Sequence, residues 1–302
     1  MRIFTIGETT YDILFRDGRP VNSCSGGSAF NSSISLGRCG LPVSLISTFG
    51  NDPVGDLSYD FLLSNGVNCN LIKRFDGQSR IALAFIDSEN NAEYSFYQAS
   101  KDIFPEYPLP EKNDILLLGS SFAIRDNGRE ELLNFLQLAQ KRGCITIYDP
   151  NARQSMEDKP EIINKILKNI ELATIIKGSD QDFRNIFGLN DSKSVYSRIS
   201  ESGNRVVIYT KGTDGAELFA GALHLQIPAI ATKVVSTIGA GDNFSAGIVF
   251  GINKILTNTI FDLTPTEWEA IMSFGSLFAS EVCASAENYI PEEMGKRLRP
   301  HE

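Results

Sequence analysis

Short apolar runs that alternate with amphipathic helical patterns constrain the fold of this chain more than any other feature. The runs are rich in β-branched residues, short enough for buried strands, and mostly followed by polar residues. They lie at residues 3–6, 43–49, 115–118, 145–148, 172–177 and 205–210. Strands that alternate with helices form parallel sheets covered on both faces, so we expect an α/β fold with a mostly parallel central sheet.

A break in this alternation predicts a second, smaller β element. Arg80–Ile86 and Ala92–Gln98 each alternate apolar and polar residues, and the polar stretch between them is typical of a β-hairpin. A hairpin between βα units does not fit a parallel sheet, so we expect it to project as a lid, with residues 11–21 as its pairing partner. No repeat or linker divides the chain. We therefore predict a single domain over residues 1–302, with a lid formed by roughly 10–22 and 72–100.

The composition excludes several classes of function. The 302 residues carry a formal net charge of -9 without a Lys/Arg cluster, whereas a nucleic-acid-binding protein needs a basic surface. No apolar segment is long enough to span a membrane, and the N-terminus has no signal-peptide pattern. The five scattered cysteines are typical of reduced thiols, and two histidines are too few for His-rich metal sites. We expect a cytoplasmic protein without nucleic-acid or membrane partners.

The turn Gly239-Ala240-Gly241-Asp242 carries the clearest chemical signal. The β-branched Val234-Val235 precedes it and an amphipathic pattern follows it, which predicts a strand, a tight turn and a helix. The N–H groups of the three small residues would be uncovered at the helix start, which is a typical binding site for phosphate. A carboxylate there repels phosphate but can accept a proton from an attacking hydroxyl, so Asp242 is either a general base or a helix cap.

A second glycine-rich turn, Gly26-Gly27, opens a helix that runs through Leu36. Two glycines before a helix let a ligand approach the backbone closely. Asn31, one turn into this helix, would present its amide to the hydroxyls of such a ligand. Taken alone, however, two adjacent glycines are more typical of a plain loop.

Together, Gly26-Gly27-x-x-x-Asn31 and Gly239-Ala240-Gly241-Asp242 resemble the ribokinase-like (PfkB-type) carbohydrate kinases. The likeness covers nearly the whole chain in the same order, and includes Gly7 and Asp12, Gly50-Asn51-Asp52-Pro53-x-Gly55, Asp149-Pro150-Asn151-x-Arg153 and Thr210-Lys211-Gly212-x-x-Gly215. The resemblance implies a three-layer α/β/α fold with a small β lid, and an ATP-dependent sugar kinase. Because the D-x-N-x-R motif is most similar to fructokinase-like and ketodeoxygluconate kinase-like members, we expect fructose or a related ketose or sugar acid as the acceptor.

The resemblance also implies roles for individual residues. Asp242 would be the base that deprotonates the sugar hydroxyl, and Gly239, Ala240 and Gly241 would form the anion hole for the γ-phosphoryl group. The sugar would be held by Asp12, Gly26, Gly27, Asn31 and Arg153. The nucleotide would be held by Lys177, Ser179, Thr210, Lys211, Gly212, Gly215 and Gly241. For Arg153 and Lys177, and for Arg80 at the base of the hairpin, an ordinary surface charge is the alternative.

ATP and Mg²⁺ are the cofactors that the resemblance implies, with K⁺ as a further candidate. Mg²⁺ would bind largely through water, near Asp182, and K⁺ would bind the carbonyl groups of Ser236 and Ile238. The family usually has Asp where Ser236 stands, but carbonyl ligation does not need that side chain. The usual N-x-x-E motif appears here as Ser179-Asp180-Gln181-Asp182, which keeps a carboxylate one methylene shorter.

Three other functions compete with a sugar kinase. A nucleoside kinase of the same fold would need an aromatic platform, which Tyr11, Phe15 and Phe96 could provide. A non-catalytic sugar- or nucleotide-binding regulator would be marked by loss of Asp242, which is present. A Rossmann-type dehydrogenase would need a G-x-G-x-x-G motif after the first strand, and that motif is missing. Apolar residues on the hairpin (Phe85, Tyr94 and Phe96) further predict a homodimer through the lid.

Overall fold

The computed structural model describes residues 1–86, 92–97, 103–152, 154, 158–203 and 205–299. The strands are β1 (Ile3–Ile6), β2 (Thr10–Arg16), β3 (Arg19–Gly26), β4 (Val43–Gly50), β5 (Ile72–Phe75), β6 (Ile81–Ile86), β7 (Ala92–Tyr97), β8 (Ile115–Gly119), β9 (Ile145–Asp149), β10 (Ile175–Ser179), β11 (Val206–Thr210), β12 (Ala216–Ala220) and β13 (Leu223–Ile227). The helices are α1 (Ser28–Arg38), α2 (Pro53–Ser64), α3 (Arg129–Lys141), α4 (Pro160–Leu172), α5 (Asp180–Phe187), α6 (Ser192–Ser200), α7 (Ala240–Ile255), α8 (Pro265–Cys283) and α9 (Glu292–Leu298).

The large sheet has the strand order β13-β12-β11-β10-β9-β8-β1-β4-β5 within the described residues. It is parallel from β11 to β5, and the antiparallel pair β12 and β13 forms one edge. One apolar core lies between the sheet and the helices α1, α2, α7, α8 and α9, and a second core lies under α3 to α6. The predicted α/β arrangement, with a mostly parallel sheet between two helical layers, is confirmed.

A separate four-stranded sheet has the order β3-β2-β6-β7. The predicted hairpin forms, since β6 and β7 pair antiparallel, and β2 pairs with β6 in parallel. Phe15 stacks on Phe85 across this pairing, with ring centroids 5.1 Å apart. The predicted connection at residues 87–91 and the end of the segment at Gln98 lie outside the described residues.

The strand predicted at Val234-Val235 is wrong. Residues 228–239 contain no strand, and the side chains of Val234 and Val235 are 56% and 59% exposed. The edge of the sheet on this side is instead completed by β12 and β13, a hairpin that the sequence pattern did not reveal. β-Branched residues favour strands only where a neighbouring strand and a packed face are available, and this segment has neither.

Helix α8 is the longest described helix, with 19 residues, and it is a core helix. Thr264 and Glu267 form a capping box at its start, and Trp268 is buried against the α7 side of the core. Among the described residues, we find no helix with both the length and the apolar character needed to cross a membrane.

Candidate active site

A cavity of about 840 Å³ lies between the two sheets, where the N-termini of α1 and α7 meet the loops after β8 and β9. It brings together residues that the sequence places on separate motifs. From the core side it is lined by Gly27, Asn31, Asn151, Gly239 and Asp242, and from the second sheet by Asp12, Glu93 and Phe96. The predicted base therefore shares one cavity with three of the five predicted sugar-binding residues, Asp12, Gly27 and Asn31, at the carboxyl ends of parallel strands where ligands bind in such sheets.

Asp242 is the third residue of α7 and does not cap the helix, because Gly239 is the N-cap residue. Asn31 donates a hydrogen bond from Nδ2 to Asp242 Oδ2 at 2.8 Å, and Ser32 Oγ donates to the Asp242 carbonyl at 2.9 Å. These bonds join two helices that are far apart in sequence. Asn31 is only 4% exposed, and its Oδ1 finds no donor among the described residues. A buried polar atom of this kind is normally satisfied by water or a ligand.

The backbone before Asp242 is held by a fully buried asparagine, Asn243. Its Nδ2 donates to the carbonyls of Gly239 and Asn288, both at 2.7 Å, and its Oδ1 accepts from Ser35 Oγ. Gly239 has a φ of 81°, and a Cβ atom there would lie 2.7 Å from the Asn288 carbonyl oxygen. Only glycine fits this position without distorting the start of α7.

Lys177 lies behind this turn, on β10. Its ammonium donates to Asp149 Oδ2 at 2.7 Å and to the Gly241 carbonyl at 3.3 Å, and its side chain is only 5% exposed. Burial lowers the pKa of Lys177, but the Asp149 carboxylate outweighs that effect, so the pKa is raised and the lysine stays charged. Sequence reasoning grouped Lys177 with the nucleotide-binding residues, and the structure buries it beneath the small-residue turn.

The wall opposite Asp242 is formed by the second sheet. Thr10 Oγ1 donates to Asp12 Oδ1 at 2.7 Å, and a Cβ atom on Gly26 would lie 3.1 Å from Asp12 Oδ2. Gly27 has a φ of 117°, and a Cβ atom there would lie 2.4 Å from the Glu8 carbonyl oxygen. A side chain at either position would therefore meet neighbouring protein atoms, which is a structural reason for glycine here, and the close approach of a ligand to this turn stays a prediction.

Glu8 connects the two sides of the cavity. The sequence analysis did not identify this residue. Its Oε2 accepts from Arg80, at the start of β6, and from Ser121 Oγ at 3.0 Å. Arg80 lines the cavity, so the sugar-contact alternative for this residue has a physical basis. Arg153, the predicted guanidinium of the D-x-N-x-R motif, lies outside the described residues.

Apart from Lys177 and Gly241, the predicted nucleotide-binding residues lie at the carboxyl ends of β10 and β11, which are neighbours in the sheet, and in the loop after β11. Thr210 Oγ1 lies 3.4 Å from the Gly178 carbonyl, a long hydrogen bond. In the loop after Lys211, Gly212 and Gly215 have φ values of 55° and 82°. A Cβ atom on Gly215 would lie 2.1 Å from the Ile227 carbonyl oxygen, so this loop needs glycine there.

Ser179 and Asp182 form a capping box at the start of α5. Asp182 Oδ2 accepts from the Ser179 N–H at 2.7 Å and from Ser179 Oγ at 2.6 Å. The described residues contain no group of three acidic, histidine or cysteine side chains that could hold a metal. One oxygen of Asp182, the carboxylate predicted to lie near Mg²⁺, is therefore engaged in capping the helix.

The loop that contains Ser236 and Ile238 packs against the end of α8. The N–H groups of Val235 and Ser236 both donate to the Cys283 carbonyl, at 2.7 and 3.3 Å, and the Ile238 N–H donates to Ser236 Oγ at 3.2 Å. These bonds fix the backbone of the loop. They place the two predicted carbonyl ligands on a hydrogen-bonded segment directly before Gly239.

Glu217 on β12 holds the loop after β11, which contains the predicted nucleotide-binding residue Lys211. No sequence motif identified Glu217. Its Oε1 accepts from Lys211 at 2.8 Å, and its Oε2 contacts His224 Nε2 at 2.7 Å and Ser192 Oγ at 2.9 Å. Burial alone would raise the pKa of Glu217, but these hydrogen bonds outweigh it and lower the pKa to about 2. The ionised form therefore stabilises the fold.

We expect Glu217→Gln to lower the free energy of unfolding at pH 7 by about 1–3 kcal/mol, because the charged partner of Lys211 is lost. A carboxyl with a lowered pKa contributes stability above its unfolded pKa, here near 4.5, and loses it as the pH falls toward 2. The difference between wild type and variant should therefore shrink across this range. Urea unfolding at pH 7 and at pH 3 measures it. Glu201→Gln, at an exposed ion pair with Arg198, is the control with little effect.

The sequence matches the family model described as pfkB family carbohydrate kinase over residues 2–293. A fructokinase of Escherichia coli is 24% identical over 262 residues, which cover 84% of this chain and 85% of the relative. The crystal structure of aminoimidazole riboside kinase from Salmonella enterica superposes with a TM-score of 0.83 at 20% identity, covering 99% of both chains. Fructokinase from Vibrio cholerae O395, solved with fructose, ADP and calcium bound, gives a TM-score of 0.83 at 19% identity, covering 95% of this chain and 94% of that one. The structural matches confirm the ribokinase-like α/β fold.

Proposed function

This chain belongs to the pfkB family of carbohydrate kinases, and we propose that it phosphorylates a hydroxyl of fructose or of a closely related neutral ketose. It is an ATP-dependent carbohydrate kinase. The observation that supports the specific proposal most strongly is the contact between Asn31 and Asp242 on the wall of the 840 Å³ cavity. This contact sets a carboxylate beside an unsatisfied amide oxygen, in a cavity wide enough for a hexose.

In the proposed reaction, Asp242 accepts the proton of the sugar hydroxyl as that oxygen attacks the γ-phosphoryl group in line. The N–H groups at the start of α7, contributed by Gly239, Ala240 and Gly241, stabilise the negative charge on the transferred group. Asn31 donates to Asp242 and so orients its carboxylate. Its Oδ1 accepts a hydroxyl proton of the bound sugar, which satisfies the buried atom.

On the nucleotide side, we propose that the loop of Thr210, Lys211, Gly212 and Gly215 lies along ATP, with Ser179 at the start of α5 beside the phosphates. Bound Mg²⁺ would neutralise the phosphate charge, and Asp182 would hold the water molecules around it. The carbonyl groups of Ser236 and Ile238 are the proposed ligands of K⁺. The hydrogen bonds of this loop to the Cys283 carbonyl support that site, because they hold the loop in place beside the Gly239 turn. A cation bound to the loop would then influence the position of that turn.

The charge of the cavity favours a neutral acceptor. Its described lining includes four carboxylates, which belong to Glu8, Asp12, Glu93 and Asp242, and one cation, Arg80, which is paired with Glu8. Carboxylates accept hydrogen bonds from sugar hydroxyls, whereas they repel a phosphate or carboxylate on the acceptor. We therefore place fructose ahead of a sugar phosphate or a sugar acid.

We expect kcat/KM for fructose to exceed that for fructose 6-phosphate by at least about 100-fold, since like charges in such a site cost several kcal/mol. A coupled assay of ADP release against fructose, fructose 6-phosphate, ribose, ketodeoxygluconate and adenosine, with and without K⁺, measures the preference. Turnover that is fastest with an anionic acceptor would contradict the proposed substrate class. Turnover with adenosine alone would make the protein a nucleoside kinase, although only Phe96 of the three predicted platform aromatics lines the described cavity.

We also propose that the second sheet acts as a lid over the cavity and as a dimer interface. Asp12, Glu93 and Phe96 from this sheet line the cavity, so its closure would exclude water that otherwise hydrolyses ATP. Phe85, Phe96 and Tyr97 are 43%, 62% and 59% exposed, which is unusual for one small sheet unless it is covered. Size-exclusion chromatography with light scattering should give a dimer at micromolar concentration, and a monomer there would reject this interface.

A further inference from the structure

A buried ion pair lies directly behind the turn that we propose as the anion hole, and nothing in the proposed chemistry uses it. Lys177 on β10 contacts Asp149 at the end of β9, and their side chains are 5% and 15% exposed. A buried ion pair is weak support for stability, because removing both charges from water costs about as much as their attraction returns. Its position therefore points to a role in the site.

The contacts of the pair converge on one peptide group. The Lys177 ammonium donates to the Gly241 carbonyl at 3.3 Å, and Ser245 Oγ lies 3.3 Å from both the Gly241 carbonyl and Asp149 Oδ2, with one proton to donate to either of them. The Gly241 carbonyl belongs to the same peptide group as the Asp242 N–H. Donors on the carbonyl side of a peptide polarise its N–H and fix its plane. The lysine thus polarises the Asp242 N–H, which directly follows the three N–H groups proposed for the anion hole in the first turn of α7.

The fit of Lys177 against this peptide is close. A Cβ atom on Gly241 would lie 3.2 Å from Lys177 Nζ, so the small residue at this position leaves room for the ammonium. The Asp242 charge also contributes to the raised pKa of Lys177. Coupling between two titrating groups is reciprocal, so the lysine must favour the ionised form of Asp242.

We propose that Lys177, held by Asp149, is a positioning residue that orients and polarises the Gly241–Asp242 peptide beside the proposed base. This inference rests on the proposed function, in which Asp242 is the base. It assigns Lys177 no contact with substrate or nucleotide. Asp149 serves to keep the ammonium charged and pointed at the Gly241 carbonyl.

Other charged groups near Asp242 also affect the pH dependence of the reaction and must be considered in a pH test. Asp182 from α5 interacts with both Lys177 and Asp149 from the side of the sheet. Across the cavity lie Asp12 and Glu93 of the second sheet and the Glu8–Arg80 pair. All of them remain in place when Lys177 is replaced, so a change in pH dependence reports the lysine.

The test uses the full-length enzyme with Lys177→Met, Asp149→Asn, the double variant, and Lys168→Met as a control at an exposed lysine. We expect Lys177→Met to lower kcat by about 100-fold, with KM for sugar and for ATP changed less than about fivefold. Loss of the cation should also move the acid limb of the kcat/KM profile upward by about one pH unit. The control should match wild type in all of these values.

The double variant separates positioning from folding, because it removes both buried charges together and leaves neither unpaired. If Lys177→Met alone does not fold, the double variant carries the test. We expect the double variant to melt within a few degrees of wild type while kcat stays at least about 30-fold lower. Recovery of wild-type kcat in the double variant, or an unshifted acid limb in a folded Lys177→Met enzyme, would overturn the inference. Retained turnover in Asp242→Asn would instead show that Asp242 is not the base and would refute the proposed function. The failure of this inference and the failure of the proposed function are therefore distinguishable.

Discussion

Replacing Asp242 by asparagine should lower kcat by about 10²- to 10⁴-fold, the range that general-base catalysis contributes. Asparagine keeps the size of the side chain but cannot accept a proton from the sugar hydroxyl. KM for ATP should stay near the wild-type value, because the change removes a negative charge close to the phosphates and leaves the turn intact. Steady-state kinetics at saturating sugar and ATP, with calorimetric binding of an ATP analogue, measure both effects.

A matched control separates catalysis from the electrostatics of a helix N-terminus. Asp56 also lies in the first turn of a helix, α2, and pairs with Arg74 at the surface. Asp56→Asn should change stability by less than about 1 kcal/mol and leave kcat unchanged. If Asp242→Asn behaves like this control, Asp242 is not the base.

The second large effect is expected at Gly239. Alanine there would adopt a φ of 81°, and its Cβ atom would lie 2.7 Å from the Asn288 carbonyl oxygen, so the start of α7 must move. Displacing the donors of an anion hole typically costs about 10²- to 10³-fold in rate. We therefore expect Gly239→Ala to lower kcat by this amount and to lower the melting temperature as well.

Gly221 provides the control for backbone strain, since it has a φ of 61° and no atom within 4 Å of an added Cβ. Gly221→Ala should cost about 1 kcal/mol of stability from the left-handed conformation alone and leave kcat unchanged. Kinetics and thermal unfolding of both variants make the comparison. Equal losses of activity in the two variants would show that general destabilisation, and not the position of the turn, governs the rate.

Much of this fold follows from local patterns. The buried strands β1, β4, β8, β9 and β11 are short β-branched runs, and the helices between them begin and end at recognisable signals. The glycine-rich turns also follow from sequence, because Gly27 and Gly239 occupy conformations and spaces that exclude a side chain. Motifs of this kind encode local backbone geometry, which is why the sequence alone predicts them.

Contacts between distant segments were not predictable. The hydrogen bond from Asn31 to Asp242 joins residues 211 positions apart, and only packing of α1 on α7 creates it. The sequence holds only a weak signal for the burial of Lys177, namely a lysine within an apolar strand. Its pairing with Asp149 follows from the order of strands in the sheet, which the sequence pattern does not give. The wrong strand at Val234-Val235 has the same origin, since strand formation there depended on a neighbour that is absent.

The bonds of Asn243 have a consequence for how such an enzyme diversifies. They tie the start of α7 to α1 through the buried Ser35 and to the segment at Asn288, which lines the cavity. The opposite wall, with Asp12 and Glu93, is carried by a separate sheet with its own strand pairing. Under the proposed function, substitutions on the second sheet would change one set of acceptor contacts while the start of α7, with its proposed phosphate chemistry, stays as it is, so a new specificity could evolve without rebuilding the reaction.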